Sequence, residues 1–378
     1  MRIAVNAGSF KSHESENELN SVFAIFLQLA ASHPAHTFIF IFNKPFSEEL
    51  NFPQNVTPVV LERKTDRPLQ LKFWYNFKIP IALKKHKAGI FISEKIISLK
   101  IKTPQILISP DLAFIYQPLF FNKRSLRFYK KNTNRFFDKA NEIVVNSLFF
   151  KNEIIERYKI NEAKIKVVYP EISDEFKKLD IKEKELIKEK YAVGNEYFIY
   201  KGVISPQQNL LNLLKAFSFF KKRQKSKMQL IILGSRGAKY EDFIESLRLF
   251  KFNKEVKVLE NLHPAETAKI VASAYAMINV PAYLNSPQPI LEAMKSEIAV
   301  IASPVQIIKE LCGDAALYLQ SENYKDIAEK MMLLFKDEQL RRQLIEKGNT
   351  RMKSFQGKRD PDFLFRLIEQ LTITEKGS

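Results

Sequence analysis

Pro281-Ala-Tyr-Leu-Asn-Ser-Pro-Gln-Pro-Ile-Leu-Glu292 lies between an apolar run, Ala276-Met-Ile-Asn-Val280, and a helical pattern, Leu291-Glu-Ala-Met-Lys-Ser296. A short β-branched run that passes through a proline-rich turn into a helix is half of a βαβ unit, the building block of a parallel sheet. Glu292 opens the expected helix. A carboxylate beyond the carboxyl end of a parallel strand lies where open α/β sheets bind ligands, nucleotides among them. The eight positions before it hold no second acidic group, and Leu284 stands where one would be sought.

Outward from this unit the same alternation runs to both ends of the chain. In the second half, strands are expected at 197–200, 229–233, 256–259, 276–280, 299–302 and 316–318. Leu210, Leu213, Leu214, Phe217 and Phe220 trace a helical stripe between the first two. In the first half, strands are expected at 2–5, 37–42, 57–60, 89–92, 105–108 and 142–145. Leu19, Val22, Phe23, Phe26, Leu27 and Ala30 recur at helical spacing, so an amphipathic helix joins the first pair. The run Ile181-Lys-Glu-Lys-Glu-Leu-Ile-Lys-Glu-Lys190 has few apolar residues and dense charge, the mark of an exposed helix near a domain junction.

A chain of 378 residues exceeds what one hydrophobic core usually supports. The expected architecture is therefore α/β, with two doubly wound Rossmann-like domains facing a cleft. The first spans 1–172, a linker helix 173–195, and the second domain 196–358. An amphipathic C-terminal helix in 359–378, with Phe363, Leu364, Leu367 and Leu371 on one side, either closes the second domain or crosses back to the first.

One cysteine, Cys312, excludes an intrachain disulfide and fits a reducing compartment. The run Met-Arg-Ile-Ala-Val-Asn at the start is short for a secretory signal and suits a first buried strand. No run approaches the ~18 apolar residues of a spanning helix, so a cytoplasmic protein is expected. The net charge of +18 is uneven: 26 Lys and Arg against 14 Asp and Glu precede Pro170. Lys84-Lys-His-Lys87 and Lys123-Arg-Ser-Leu-Arg-Phe-Tyr-Lys-Lys131 concentrate cations, the second with aromatics interleaved. An anionic membrane surface would attract such a face, whereas a lysine-rich solvated surface explains it equally well. No motif that reads nucleic acid accompanies the charge, and nucleic acid is disfavoured as a partner.

Several segments recur in a recognisable order. Tyr200-Lys-Gly-Val-Ile-Ser-Pro-Gln-Gln-Asn209 follows a strand, and Leu233-Gly-Ser-Arg-Gly237 ends the next. The Pro281–Glu292 stretch comes third, and Ala302-Ser-Pro-Val-Gln-Ile-Ile-Lys-Glu-Leu-Cys-Gly-Asp-Ala-Ala316 closes the series. Pro110-Asp-Leu-Ala-Phe114 and Val144-Val-Asn-Ser-Leu-Phe-Phe-Lys151 are fainter parallels in the first half. In this order the chain resembles the retaining glycosyltransferases of family 4, which have the two-domain GT-B fold. The resemblance implies a nucleotide-sugar donor, retention of anomeric configuration, no cofactor and no obligatory metal.

It also assigns candidate positions. Glu292 matches the second acidic residue of a Glu-x7-Glu pair and is expected to accept hydrogen bonds from nucleotide ribose hydroxyls; a first-turn helix-dipole role is the alternative. Gly202, Gln208 and Asn209 lie on the donor phosphate loop, and turn geometry explains Gly202 and Asn209 at least as well. Asn285, Ser286, Pro287 and Gln288 take the place of the donor-sugar loop. Asp111 falls on the acceptor side, with a structural turn role as its alternative.

The departures fall on groups that handle charge. Val203 and Gln208 stand where the family has an Arg and a Lys, Leu284 replaces the first Glu, and Pro110 replaces a His. Glu18-Leu-Asn20 replaces a glycine-rich loop. Arg236 is a candidate replacement for the diphosphate cation, with a solvated surface arginine as the alternative; Lys201, on a strand whose side chains alternate, is expected to be able to point away. Two expectations stand together: a sugar transferase acting on a glycan or lipid-linked acceptor at the cytoplasmic membrane face, and a pseudo-glycosyltransferase that binds or scaffolds without turnover. A partner protein that supplies the missing groups fits either.

Overall fold

The computed structural model describes residues 1–8, 21–46, 51–108, 112–281, 283, 286–356 and 362–374. The chain divides into two compact units, Met1–Tyr169 together with Arg359–Ser378, and Pro170–Lys358.

The first unit is built on a seven-stranded sheet of β1 (Arg2–Asn6), β2 (Thr37–Phe42), β3 (Val56–Val60), β4 (Ile90–Glu94), β5 (Gln105–Ile108), β6 (Glu142–Val145) and β7 (Ile165–Val167), in the order β3-β2-β1-β4-β5-β6-β7. All pairings are parallel. Its central strands are apolar on both faces because helices cover both, the usual state of a parallel sheet. The helix Ser21–Ser32 buries Phe23, Phe26, Leu29 and Ala30 against Phe38, Phe40 and Phe42, with Phe23 edge-on to Phe40 at 5.4 Å. Leu19, expected on the same stripe, lies outside the described residues. The strand β7 was not expected. It is a three-residue edge strand interrupted by Lys166, whose ammonium lies 3.7 Å from Glu142, and so it lacks the apolar run that marks a buried strand.

The helix Phe363–Thr374 belongs to this first unit. Phe365, Leu367 and Ile368 are buried in its core, and the Phe365 ring stacks on His33 with centroids 3.5 Å apart. A second feature of this unit is a continuous helical rod: α-helix Pro68–Phe73, a π-helical turn Trp74–Lys78, and α-helix Ile79–Lys85. Trp74 is buried and donates its indole N–H to the Leu61 carbonyl at 2.7 Å.

The second unit holds a six-stranded parallel sheet of β8 (Tyr197–Lys201), β9 (Gln229–Leu233), β10 (Val256–Leu259), β11 (Ala276–Asn279), β12 (Ala299–Ala302) and β13 (Ala316–Tyr318), in the order β10-β9-β8-β11-β12-β13. The helix Leu210–Gln224 buries Leu210, Leu213, Leu214, Phe217 and Phe220 against Phe198, Tyr200 and Ile232. Burying one such phenylalanine stabilises the unit by about 2–3 kcal/mol. The charged helix Ile181–Ala192 lies within this unit and packs on Pro264–Ala272. There Lys190 Nζ and the Tyr191 hydroxyl both donate to Glu266, each at 2.7 Å.

The decisive stretch differs from expectation in one respect. Its helix is Gln288–Lys295, so Glu292 sits in the second turn rather than the first, and it is buried. Pro289 explains the earlier start, because a proline within the first turn forfeits no helical hydrogen bond. The helix-dipole role considered for Glu292 is therefore removed, since that effect is confined to the end turn.

Candidate functional site

In the second sheet the strand order reverses between β8 and β11. The chain leaves the carboxyl ends of these neighbours in opposite directions, opening the crevice in which doubly wound sheets bind ligands.

The loops after β8 and β9 run side by side beyond the strands. Gly202 N–H donates to the Leu233 carbonyl at 3.0 Å, Ile204 N–H to Ser235 at 2.8 Å, and Gly237 N–H to Ile204 at 3.0 Å. This contact requires glycine: a Cβ at Gly234 would lie 1.7 Å from the Gly202 oxygen. The backbone course of the loop is thus fixed by the sheet itself. A 3-10 turn, Pro206–Gln208, follows, and Asn209 ends it in the left-handed region at φ 58°. The Asn209 amide donates to the carbonyls of Val280, at 3.2 Å, and Ser321. It ties the loop to the segments that follow β11 and β13. Val203 is half-exposed, and its carbonyl accepts from the Tyr200 hydroxyl at 3.0 Å.

At the crevice stands a charge pair. Glu292 is 1% exposed, and its two carboxylate oxygens are both engaged: Oε2 by the Lys201 ammonium, and Oε1 by Gln288 Nε2 at 3.1 Å. The Lys201 Nζ also lies 5.2 Å from the Phe176 ring centroid, a cation–π contact. A buried carboxylate is tolerated only with such partners. The sequence left the direction of Lys201 open. Alternation puts Tyr197, Ile199 and Lys201 on one face, and the Tyr197 hydroxyl donates to the Ile270 carbonyl there at 2.6 Å. Its position at the end of an apolar strand, just before a glycine, was visible in the sequence; its pairing with Glu292 was not.

Arg236 is placed elsewhere. It donates from Nε to Glu260 at 2.7 Å, just past β10, and its guanidinium lies 4.8 Å from the Tyr240 ring centroid. That partner draws it to the β10 side of the sheet, beyond β9 from the β8–β11 crevice. Of the donor-sugar loop, Ser286 is exposed, Pro287 buried and Gln288 bonded to Glu292 as described. Asn285 and Leu284 lie outside the described residues, as do Pro110, Asp111 and Glu18-Leu-Asn20.

Two further features adjoin the crevice. Asn279, at the end of β11, is buried, and among the described residues no group donates to its Oδ1. A hollow of about 470 Å³ opens at the carboxyl ends of β12 and β13, lined by Ser303, Pro304, Val305, Gln320, Ser321, Glu322 and Asn323. A larger one, about 560 Å³, includes Asp314 and Lys347. Asp314 precedes β13, at the amino end of the sheet, where doubly wound folds do not place their ligands. Among the described residues no three His, Cys, Asp or Glu side chains converge as a metal ion would need.

Residues 181–351 match the family described as Glycosyl transferases group 1. The chain is 23% identical over 248 residues to O-antigen chain mannosyltransferase B of Escherichia coli, covering 65% of each, so the match spans under two thirds of that relative's length. It is 25% identical over 293 residues to the O-antigen chain mannosyltransferase RfbU of Salmonella typhimurium, covering 74% of this chain and 76% of the relative. Among solved structures, sucrose-phosphate synthase from Thermosynechococcus elongatus superposes with a TM-score of 0.80 at 12% identity, covering 99% of both chains. Anabaena HepE in complex with UDP-glucose superposes at 0.71 and 15%, covering all of both. The structural likeness is one of fold, the two Rossmann-like domains of GT-B; with the family match it supports a glycosyltransferase.

Proposed function

We propose that the chain transfers a glycosyl group, a mannosyl group by analogy with the two O-antigen enzymes, from a nucleotide sugar to a cell-surface glycan acceptor at a membrane face. The observation that carries this reading is the Lys201–Glu292 pair at the strand-order reversal. Ligands of doubly wound sheets bind at that reversal, and acidic residues of dinucleotide folds bond ribose hydroxyls. In the proposal Glu292 takes the ribose, and the hollow at Ser303–Val305 and Ser321–Asn323 offers polar groups for the nucleoside. Lys201 exchanges part of its bond to Glu292 for the donor diphosphate, supplying charge that Val203 and Gln208 do not. Stabilising the leaving diphosphate is the step that such a cation serves. Asn209 and Gly202 act through backbone placement, while Arg236 holds the β10 side of the loop.

A second reading, binding without turnover, is favoured by the neutral, half-exposed Val203 and by a Glu292 whose oxygens are already engaged. Calorimetric titration with GDP, UDP, GDP-mannose and UDP-glucose, followed by slow donor hydrolysis, separates the two. The transferase reading expects binding that Glu292→Ala weakens at least ~tenfold, as loss of a hydrogen bond to a charged group should, together with hydrolysis that Lys201→Met suppresses. Binding without hydrolysis or transfer leaves the second reading; no binding to any of the four sinks both.

A further inference from the structure

Residues 67–93 contain six Lys or Arg and no Asp or Glu. Most of this stretch forms the helical rod of 68–85 in the first unit. One side of the rod, with Leu71, Trp74, Tyr75, Ile79, Ala82 and Leu83, is buried. The other presents Leu69, Phe73, Phe77 and Ile81 to solvent, 82%, 54%, 48% and 69% exposed. These four recur at intervals of four residues. In an α-helix four residues advance ~400°, so such a series drifts around the axis by ~40° per step. The π turn at Trp74–Lys78 takes more residues per turn and rotates the series back, keeping the apolar stripe on one face.

The stripe is flanked by cations. Lys72, Lys84 and Lys85 are exposed along the rod, and Lys100 Nζ lies 4.4 Å from the Phe77 ring centroid. The helix Pro68–Phe73 contacts Lys123–Lys139, which exposes Lys123, Arg124, Arg127, Lys130, Lys131 and Arg135. An apolar stripe edged by lysine and arginine is the composition of a helix that lies in the plane of a membrane interface. A protein interface core, by contrast, is depleted of lysine. A second copy on this face, related by a two-fold axis, would bring one lysine-edged stripe against another, an unfavourable like-charge arrangement.

We infer that the rod 68–85 docks the first unit onto an anionic lipid bilayer, with Leu69, Phe73, Phe77 and Ile81 set among the acyl chains and the flanking lysines on the headgroups. This deepens the membrane-face reading above and rests on it for its purpose, while its test reads no catalysis. Each basic residue near an anionic surface contributes ~fivefold to partitioning, so three together contribute on the order of a hundredfold.

The full chain is sedimented with vesicles of phosphatidylcholine alone and of phosphatidylcholine with phosphatidylglycerol. Strong binding to the anionic vesicles is expected, at least ~tenfold weaker to the neutral ones, and reduced by salt. The variant Leu69→Ser/Phe73→Ser/Phe77→Ser/Ile81→Ser should lose at least ~tenfold. Lys72→Glu/Lys84→Glu/Lys85→Glu, which leaves every apolar side chain in place, should lose more. Trp74 is the sole tryptophan, and its unchanged emission reports that the rod still packs. Wild-type protein left in the supernatant overturns the inference, and so does a serine variant that binds as well as wild type. A wild-type dimer that the serine variant dissolves would assign the face to a second copy instead. Donor hydrolysis by the wild-type chain is followed in vesicle-free solution: its failure while wild-type vesicle binding stands removes the transferase reading and leaves the docking surface standing.

Discussion

Lys201 and Glu292 define the site at the smallest scale. An ion pair with one partner at 1% exposure and the other about one fifth exposed gains Coulomb energy and loses hydration in similar measure, so its net contribution to stability is small. Breaking it from one side is another matter. Lys201→Met leaves a buried carboxylate with Gln288 alone and should destabilise the second unit by about 3 kcal/mol, read from the midpoint of urea unfolding. Lys201→Met/Glu292→Leu should recover most of that loss while nucleotide affinity stays low. Equal unfolding midpoints for Lys201→Met and wild type would show that the pair is not the buried unit described. In the sequence Glu292 was visible as a carboxylate in the right place, but its partner was not. Side-chain direction at a strand's last residue depends on what the facing helix presents, and Gln288–Lys295 begins earlier than the pattern implied.

Among the elements, the helix Phe363–Thr374 is remote in sequence from the sheet it covers. Phe365, Leu367 and Ile368 are buried against strands that lie more than two hundred residues earlier. A chain ending at Lys358 should therefore lose several kcal/mol in the first unit alone, since three core side chains contribute about 1.5–3 kcal/mol each. Hydrogen exchange of Arg2–Asn6 and Thr37–Phe42 would accelerate while that of Gln229–Leu233 stays slow; unchanged exchange in the first unit would contradict the packing. Most strands were legible because central parallel strands are apolar runs bounded by turns, and Thr37–Phe42, Gln229–Leu233 and Ala299–Ala302 are such runs. The edge strand Ile165–Val167 was not, because it is only three residues long and its middle residue is a lysine. The π turn left no pattern of its own: Trp74 and Tyr75, adjacent and both buried, break the helical period that would have betrayed the rod. The C-terminal helix was legible as an amphipathic segment, and its destination was not, since one apolar face fits either core.

For the molecule as a whole, charge and chemistry are divided between the units. The larger part of the basic excess lies before Pro170, while the paired carboxylate, the zippered loops and the hollow at the strand ends lie after it. A nucleoside diphosphate at a hundred times its dissociation constant should stabilise its unit by about 2.7 kcal/mol. The protection in hydrogen exchange should fall on residues 199–209, 279–281 and 303–323 and leave the first sheet unchanged. Protection confined to the first unit would place the nucleotide elsewhere.

The return of Phe363–Thr374 to the first sheet also fixes an order of events on the ribosome. Strands β1 to β7 emerge early, yet the helix that covers part of their core follows the entire second unit out of the exit tunnel. The second unit, contiguous from Pro170 to Lys358, can close as soon as it is made, whereas the earlier sheet waits with apolar surface uncovered. Domains that fold as units during synthesis usually do so from the amino end. In this chain the unit begun first is the one finished last, and its exposed sheet face is a natural substrate for chaperones during translation.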